Sequence, residues 1–114
     1  MVVEQEVLNA HRQELRRGTV VLACLLALRT PGYGYGLLRT LEAAGIPSDA
    51  NTIYPLLRRL EERGLLHSEW SIEETRPRKF YRTSVAGAEL AHQLLADASD
   101  LTASLHALDE GVTE

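Results

Sequence analysis

The period of the hydrophobic pattern changes along this chain. Up to about residue 65, apolar positions recur at steps of three and four with polar residues between them, as they do on one face of an amphipathic helix. From Leu66 to Thr83 the pattern shortens to alternate positions, which is typical of strands. After Val85 the steps of three and four return. The pattern therefore predicts helices, then a β-hairpin, then a last helix.

The first half of the chain predicts a polar N-terminal helix and two apolar ones. Residues 4–15 have helical character, and we expect a helical arm over residues 1–15. Residues 20–28, VVLACLLAL, are apolar throughout, which predicts a helix at the centre of the core. Two β-branched residues at its start leave a buried strand as the alternative for its first turn. A short helix over 37–44 is predicted to end at Gly45, because glycine suits the left-handed conformation at helix C-termini.

The third predicted helix, in the stretch TIYPLLRRLEERGLL, carries a proline. It is expected to begin between residues 48 and 52, where Ser48, Asp49 and Asn51 are all able to cap it. Pro55 lacks an N–H, which costs about 3 kcal/mol in a helix interior but little in the first turn. A cap at Asn51 would place Pro55 beside the free N–H groups of the helix start. A cap at Ser48 would require a slight bend.

Two strands are predicted after Gly64, which is expected to end the third helix. Residues 66–72 alternate apolar and polar side chains, and residues 78–84 resume the pattern after a polar turn that contains Pro77. These segments predict a β-hairpin with basic residues near its tip and on its returning strand.

The last segment repeats apolar residues every seven positions. From Val85 onward the repeat lasts for three heptads, which is typical of a helix that packs against another helix. We therefore expect the helix to join two copies of the chain. The predicted contact positions are Ala91, Leu94, Ala98, Leu101, Leu105, Leu108 and Val112.

Three helices followed by a two-stranded ribbon is the order of a winged helix-turn-helix, a mainly α fold with a small β-hairpin. The predicted organisation is an N-terminal arm over 1–15, a winged helix-turn-helix over 16–84 and a dimerisation helix over 85–114. In such a domain the second helix of the pair lies in the major groove of DNA, which assigns that role to residues 49–63.

The outward face of this recognition helix is expected to contact DNA. Asn51 suits adenine and Arg58 suits guanine, whereas Thr52 and Tyr54 suit a phosphate or a thymine methyl group. In the alternative interpretation, the arginines are a solvated face paired with nearby glutamates. The predicted DNA-contacting residues of the helix are Asn51, Thr52, Tyr54, Pro55, Arg58 and Arg59.

The net charge of −4, taken alone, argues against a nucleic-acid partner. However, basic and acidic residues are concentrated in different regions of the chain. Residues 76–82, RPRKFYR, hold four basic side chains and no acid, while residues 83–114 hold six acids and no lysine or arginine. The basic run predicts phosphate contacts by Arg76, Arg78 and Lys79, and leaves Arg82 open.

The glycine-rich stretch GYGYG, residues 32–36, is predicted to be a loop and a helix start. It is not a dinucleotide fingerprint, because no strand is predicted before it and its spacing differs. Its tyrosines alternate, so we expect Tyr33 to pack in the core and Tyr35 to reach a phosphate. Tyr35 is therefore added to the predicted DNA-contacting residues.

The sequence shows few signs of metal binding, catalysis or membrane insertion. Cys24 is expected to be a small core residue, and the four histidines lack the spacing of metal ligands, so no metal, cofactor or catalytic centre is expected. The longest apolar run has nine residues, against the roughly 20 that a membrane span needs. We therefore expect a cytoplasmic protein without a membrane partner and without enzyme activity.

Four stretches resemble the PadR family of transcriptional regulators: LRRGTVVLACLLAL, GYGYGLLRTLE, NTIYPLLRRLEERGLL and RPRKFYRTSVAGAELA. The resemblance implies a homodimeric winged-helix repressor that binds double-stranded DNA at a pseudo-palindromic operator and is released by a small-molecule effector. By position, it implies that Thr52, Tyr54 and Pro55 begin the recognition helix and that Arg78 and Lys79 belong to the wing.

The chain departs from the family pattern at three places. Asn51 stands where glycine is common, Gly36 replaces a frequent acidic residue, and residues 73–75 replace glycines at the wing tip. Two other functions stay open: a small-molecule-sensing module, and a protein-interaction module whose winged domain does not bind DNA.

Overall fold

Five helices and three short strands make up residues 2–71 and 77–111, the part of the 114-residue chain that the computed structural model describes. The predicted fold class, a winged helix-turn-helix with a long C-terminal helix, is confirmed. In chain order the elements are α1 (Gln5–Arg17), α2 (Val20–Ala27), β1 (Gly32–Tyr33), α3 (Gly34–Ala43), α4 (Ala50–Glu62), β2 (Leu66–Ser71), β3 (Arg78–Thr83) and α5 (Val85–Asp109).

Helix α2 lies at the centre of the core, as its apolar sequence predicts. Cys24 and Leu25 are fully buried, and the alternative of a strand at the start of this segment is wrong, because Val20 is already helical. The apolar stripe of α3 packs against α2, and that of α4 packs against α3 and β2. Burial of each leucine or isoleucine stabilises the fold by about 1.5–3 kcal/mol. The other buried apolar residues are Leu22, Leu28, Leu37, Leu41, Ile53, Leu56, Leu57, Leu60, Leu66, Tyr81 and Ala91.

Helix α4 begins within the predicted range, at one of its three candidate caps. The Asp49 side chain accepts a hydrogen bond from the backbone N–H of Thr52 at 2.9 Å, so Asp49 is the cap, and neither Asn51 nor Ser48 is. Pro55 is therefore the sixth residue of the helix, and its missing N–H leaves the carbonyl of Asn51 without its usual partner. Asn51 is exposed, which lets water satisfy this carbonyl, and the helix continues through the proline.

The sheet has one strand more than predicted. Its order is β1-β3-β2 with both pairings antiparallel, and β1 pairs Gly32 with Tyr81 and Tyr33 with Phe80. The prediction that residues 32–33 belong to a loop is wrong, because a two-residue strand is too short to show an alternating pattern. The predicted hairpin of β2 and β3 is confirmed.

The junction between the sheet and α5 is held by two adjacent hydroxyl residues. Ser84 caps α5 by accepting from the N–H of Gly87 at 2.9 Å, and its hydroxyl donates to the carbonyl of Gly64 at 2.7 Å. The Thr83 hydroxyl donates to the carbonyl of Leu25 at 2.6 Å. These bonds fix the direction of α5, whose first half packs on α2 and whose side chains are all exposed from residue 99 onward.

The ends of the helices follow the glycine pattern. Gly45 and Gly64 adopt positive φ angles of 85° and 74° directly after α3 and α4, as the sequence predicts. Helix α1 extends to Arg17, two residues past the predicted end of the arm, and none of its side chains is buried. Within the described ranges, no helix has the length and apolar character needed to cross a membrane.

Candidate nucleic-acid interface

The outward face of α4 is formed by one stripe of residues. Successive residues of an α-helix are rotated by about 100°, so the stripe opposite the buried face contains Asn51, Pro55, Arg58 and Glu62. Asn51, Arg58 and Glu62 are exposed and Pro55 is half-buried. This stripe can enter a groove without disturbing the core.

The remaining predicted residues of α4 lie on its two flanks. Thr52 and Arg59 are exposed on one flank, and Tyr54 is on the other. The two arginines therefore leave the helix in directions about 100° apart. Within the part of the chain that the structure describes, neither guanidinium pairs with a carboxylate, so the alternative of a salt-bridged face is not observed.

Tyr54 packs against α3 instead of projecting freely. Its ring contacts Gly34, and a Cβ atom at position 34 would collide with the ring carbon Cε1 and lie 3.1 Å from the hydroxyl. The side chain is still 37% exposed. Tyr54 therefore sets the position of α4 on the start of α3, while its edge stays available to a partner.

Tyr35 lies at the start of α3 and is 64% exposed. The guanidinium of Arg39, one turn later, lies 5.2 Å from the centre of its ring. Tyr35 and Thr52 line the same groove of about 690 Å³ between α1, α3 and α4. The structure thus places Tyr35 beside the start of α4. Its neighbour Tyr33 is half-buried, not in the core as predicted, and meets the Phe80 ring edge-on at 6.0 Å.

On the wing, which is the hairpin of β2 and β3, the two predicted phosphate-contacting residues that the structure describes lie on opposite faces of the sheet. Arg78 is exposed, with its guanidinium 4.8 Å from the centre of the Tyr33 ring. Lys79 lies on the other face, because successive side chains of a strand alternate. Its ammonium is 3.3 Å from the Glu61 carboxylate of α4 and 5.6 Å from the centre of the Tyr81 ring. The predicted contact at Arg76 lies outside the described residues.

Glu61 connects the wing to α4, and the sequence analysis missed it. The Ser68 hydroxyl donates to its carboxylate. This hydrogen bond, followed by the interactions with Lys79 and His67, lowers the pKa of Glu61, while partial burial opposes the shift. Glu61 follows Tyr54 by seven residues, so both lie on the same flank of α4, where Tyr54 contacts α3 and Glu61 contacts the strands. The sequence pattern alone does not show which flank of α4 meets the strands.

The predicted dimerisation stripe divides into two parts. Ala91 is 1% exposed and belongs to the core of its own chain, and Leu94 and Ala98 pack against that core. The structure therefore does not leave Ala91 available to a partner. Further along α5, Leu101, Leu105 and Leu108 are 65%, 59% and 62% exposed. Val112 lies outside the described residues.

An exposed polar and basic helix face beside a basic two-stranded wing defines a winged helix-turn-helix DNA-binding regulator. The chain belongs to the PadR-like family of transcriptional regulators, whose sequence model it matches over residues 21–93. This match covers the core helices, the wing and the first turns of α5.

Solved structures of similar proteins extend the likeness to nearly the whole chain. A PadR family transcriptional regulator from Eggerthella lenta DSM 2243 is 44% identical with a TM-score of 0.87, over 92% of this chain and 94% of that one. A PadR-like transcription factor from Bacteroides fragilis is 28% identical with a TM-score of 0.70, over 87% and 98%. A Streptococcus transcriptional regulator is 26% identical with a TM-score of 0.74, over 84% and 97%. No curated protein sequence matches the chain.

Proposed function

We propose that the protein is a homodimeric transcriptional repressor that binds a pseudo-palindromic operator in double-stranded DNA. The observation that carries the proposal is the exposed outward stripe of α4, where Asn51 and Arg58 have no partner among the described residues and suit adenine and guanine. The two residues are seven positions apart and lie on the same stripe, so both can enter one groove.

The second half of α5 supports the proposed dimer. Leu101, Leu105 and Leu108 form an exposed apolar stripe on a helix that extends beyond the domain. Covering this stripe with the same helix of a second copy would remove it from water and make the assembly two-fold symmetric. The two α4 helices would then enter successive major grooves about 34 Å apart.

Phosphate contacts are assigned to residues beside the recognition helix. Tyr35 and Arg78 are exposed, and the exposed ring of Tyr35 lies at the start of α3, close to the start of α4. Lys79 is assigned a different role, because Glu61 already holds its ammonium. It positions the wing relative to α4, and a phosphate would have to compete with the carboxylate for it.

The experiment that tests the proposal is a binding titration with DNA selected from a random pool. The full-length protein is titrated into labelled duplex at several salt concentrations, and the slope of log affinity against log salt gives the number of phosphates neutralised. We expect a steep negative slope. Arg58→Ala should cost about 1–3 kcal/mol of binding free energy and relax the sequence preference at one base pair of each half-site.

Two variants separate this function from its alternatives. Arg78→Glu should weaken DNA binding while the protein stays dimeric, whereas a protein-interaction module would keep its partner. Arg29→Ala serves as the control, because this guanidinium donates to the carbonyl of Leu26 and lies outside α4 and the wing. Selection of no DNA sequence, or binding that does not change with salt, would refute the proposal.

A further inference from the structure

Trp70 is the only tryptophan of the chain, and it lies on the wing with 62% of its surface exposed. It belongs to β2 and stands directly opposite Lys79 of β3. The indole is the largest apolar side chain of the protein, and none of the DNA contacts proposed above involves it. Its position in the sheet determines what it can meet.

The face of the wing that carries Trp70 is the face that meets α4. Side chains of a strand that are two residues apart point the same way, so Leu66, Ser68 and Trp70 share one face of β2. Leu66 is buried in the core, and the Ser68 hydroxyl donates to the carboxylate of Glu61 on α4. Trp70 is the next position on this face, about 7 Å further toward the wing tip.

The contacts of the opposite strand, β3, independently place Trp70 on the face of the wing that meets α4. Lys79 pairs with Trp70 across the sheet, and its ammonium reaches the same Glu61 carboxylate at 3.3 Å. Two contacts from two strands therefore converge on Glu61, and Trp70 lies just beyond both. The indole consequently lies next to the space between the wing and the recognition helix.

We propose that Trp70 is a DNA-contacting residue, whose indole packs against the sugar–phosphate backbone between the groove occupied by α4 and the groove reached by the wing. This inference rests on the proposed function, because it requires α4 to lie in the major groove. A major groove that holds α4 is bordered on each side by a sugar–phosphate backbone, and Trp70 lies beside α4 on the side of the wing.

The chemistry of the indole suits this position. Its flat apolar face can cover a deoxyribose, and its Nε1–H can donate to a phosphate oxygen. Contacts to sugar and phosphate orient a protein on DNA without reading sequence. The neighbouring carboxylate of Glu61 is paired with Lys79, which reduces its repulsion of the backbone. The acidic helix α5 offers no comparable surface.

Because Trp70 is the only tryptophan, its fluorescence reports directly on its surroundings. The full-length protein is titrated with the selected duplex, and tryptophan emission is followed together with the anisotropy of the labelled DNA. We expect the emission to change in intensity and wavelength and to saturate at the same DNA concentration as the anisotropy.

Substitutions of Trp70 then separate the contribution of the aromatic ring to DNA binding from that of the indole N–H. Trp70→Ala should weaken DNA binding by about 10-fold, and Trp70→Phe by less, because phenylalanine keeps an apolar ring without the donor. The salt slope should stay unchanged, since the indole is neutral, whereas Arg78→Ala should reduce it by about one. Ser71→Ala is the control, because Ser71 is the next residue of β2 and lies on the opposite face. Because Trp70 is exposed, we expect Trp70→Ala and Trp70→Phe to fold, and their circular dichroism spectra check this.

Three results would overturn the inference. Unchanged emission at saturating DNA, together with wild-type affinity of Trp70→Ala, would show that the indole does not meet DNA, while the proposed function would stand. An emission change that follows protein concentration without DNA would show that a second copy covers Trp70. If the wild-type protein selected no DNA at all, the proposed function would fail and the inference with it.

Discussion

The Lys79 ammonium lies 3.3 Å from the Glu61 carboxylate and so joins the returning strand of the wing to the end of the recognition helix. The Ser68 hydroxyl on the other strand donates to the same carboxylate. Glu61 is thus bonded to both strands of the wing. The position of the wing relative to α4 therefore depends in part on this carboxylate.

Glu61→Gln should destabilise the protein by less than about 1 kcal/mol at pH 7, because both partners of the ion pair are about a third exposed. The pKa of Glu61 is lowered in the folded state, so its contribution is complete above the ordinary glutamate value of about 4.3 and decreases as pH falls through the lowered value. Urea unfolding of both proteins between pH 7 and pH 3 should therefore show their difference shrinking with acid. A difference that grows on acidification would contradict the assignment. Glu62→Gln, one residue later on the outward face, is the control.

Gly87→Ala should destabilise the fold by about 1–3 kcal/mol. A Cβ at this position would collide with the backbone carbonyl oxygen of Leu65 and lie 2.9 Å from Cγ2 of Thr83, and backbone cannot move away as a side chain can. Thermal and urea unfolding measure the loss. Gly36→Ala is the matched control inside a helix, because its Cβ would meet no atom within 4 Å. It should be neutral or stabilise by roughly 0.5–1 kcal/mol.

Gly34→Ala and Tyr54→Phe should affect DNA binding differently. The alanine Cβ displaces the Tyr54 ring from α3 and with it the start of the recognition helix, so affinity should fall. Tyr54→Phe keeps the ring in place and removes only the hydroxyl, so it should lose less than Gly34→Ala. Anisotropy titrations at one salt concentration compare them. Equal losses would show that the hydroxyl, not the packing, is what matters.

Leu105→Glu should convert the proposed dimer to a folded monomer. The side chain is 59% exposed within its own chain, so the charge disturbs no core, but it would be buried without a partner in a two-copy interface. Sedimentation equilibrium gives the mass, and circular dichroism checks the fold. Ala103→Glu adds the same charge on the opposite side of α5 and should remain dimeric. A wild-type protein that sediments as a monomer at high concentration would refute the proposed dimer.

Cys24 should resist thiol reagents in the native protein. Burial in α2 raises its pKa to about 11, so the reactive thiolate is scarce at pH 8 and the sulfur is out of reach. Labelling with a chromogenic disulfide should proceed only as fast as the protein unfolds, and it should speed up with added urea. Rapid labelling without denaturant would show that α2 opens locally.

Local patterns were sufficient for most of the secondary structure. The three- and four-residue spacing in α4, the alternation in β2 and β3 and the glycines after α3 and α4 each depend on neighbours close in sequence. The cap of α4 was predicted only as one of three candidates. Ser48, Asp49 and Asn51 were all able to accept the bond from the helix start, and in the structure Asp49 accepts it.

The charge and hydrophobic patterns were also able to predict which segments are exposed and which face the core. These patterns did not show which of two similar residues is exposed and which is paired or buried. Arg78 and Lys79 are adjacent basic residues, yet one is exposed and the other is held by Glu61 on the opposite face. Ala91 and Leu105 occupy the same heptad stripe, yet one is buried in its own chain and the other faces water.

The amino-acid pattern was therefore enough for the kind of fold and for the segments that carry the chemistry, because helix periodicity, strand alternation and turn residues act over a few positions. The pairing of β1 with β3, the bonding of the wing to Glu61 and the division of the heptad stripe were decided by tertiary packing. Each of them depends on residues far apart in the chain, whose meeting is set by how the elements together exclude water from one core.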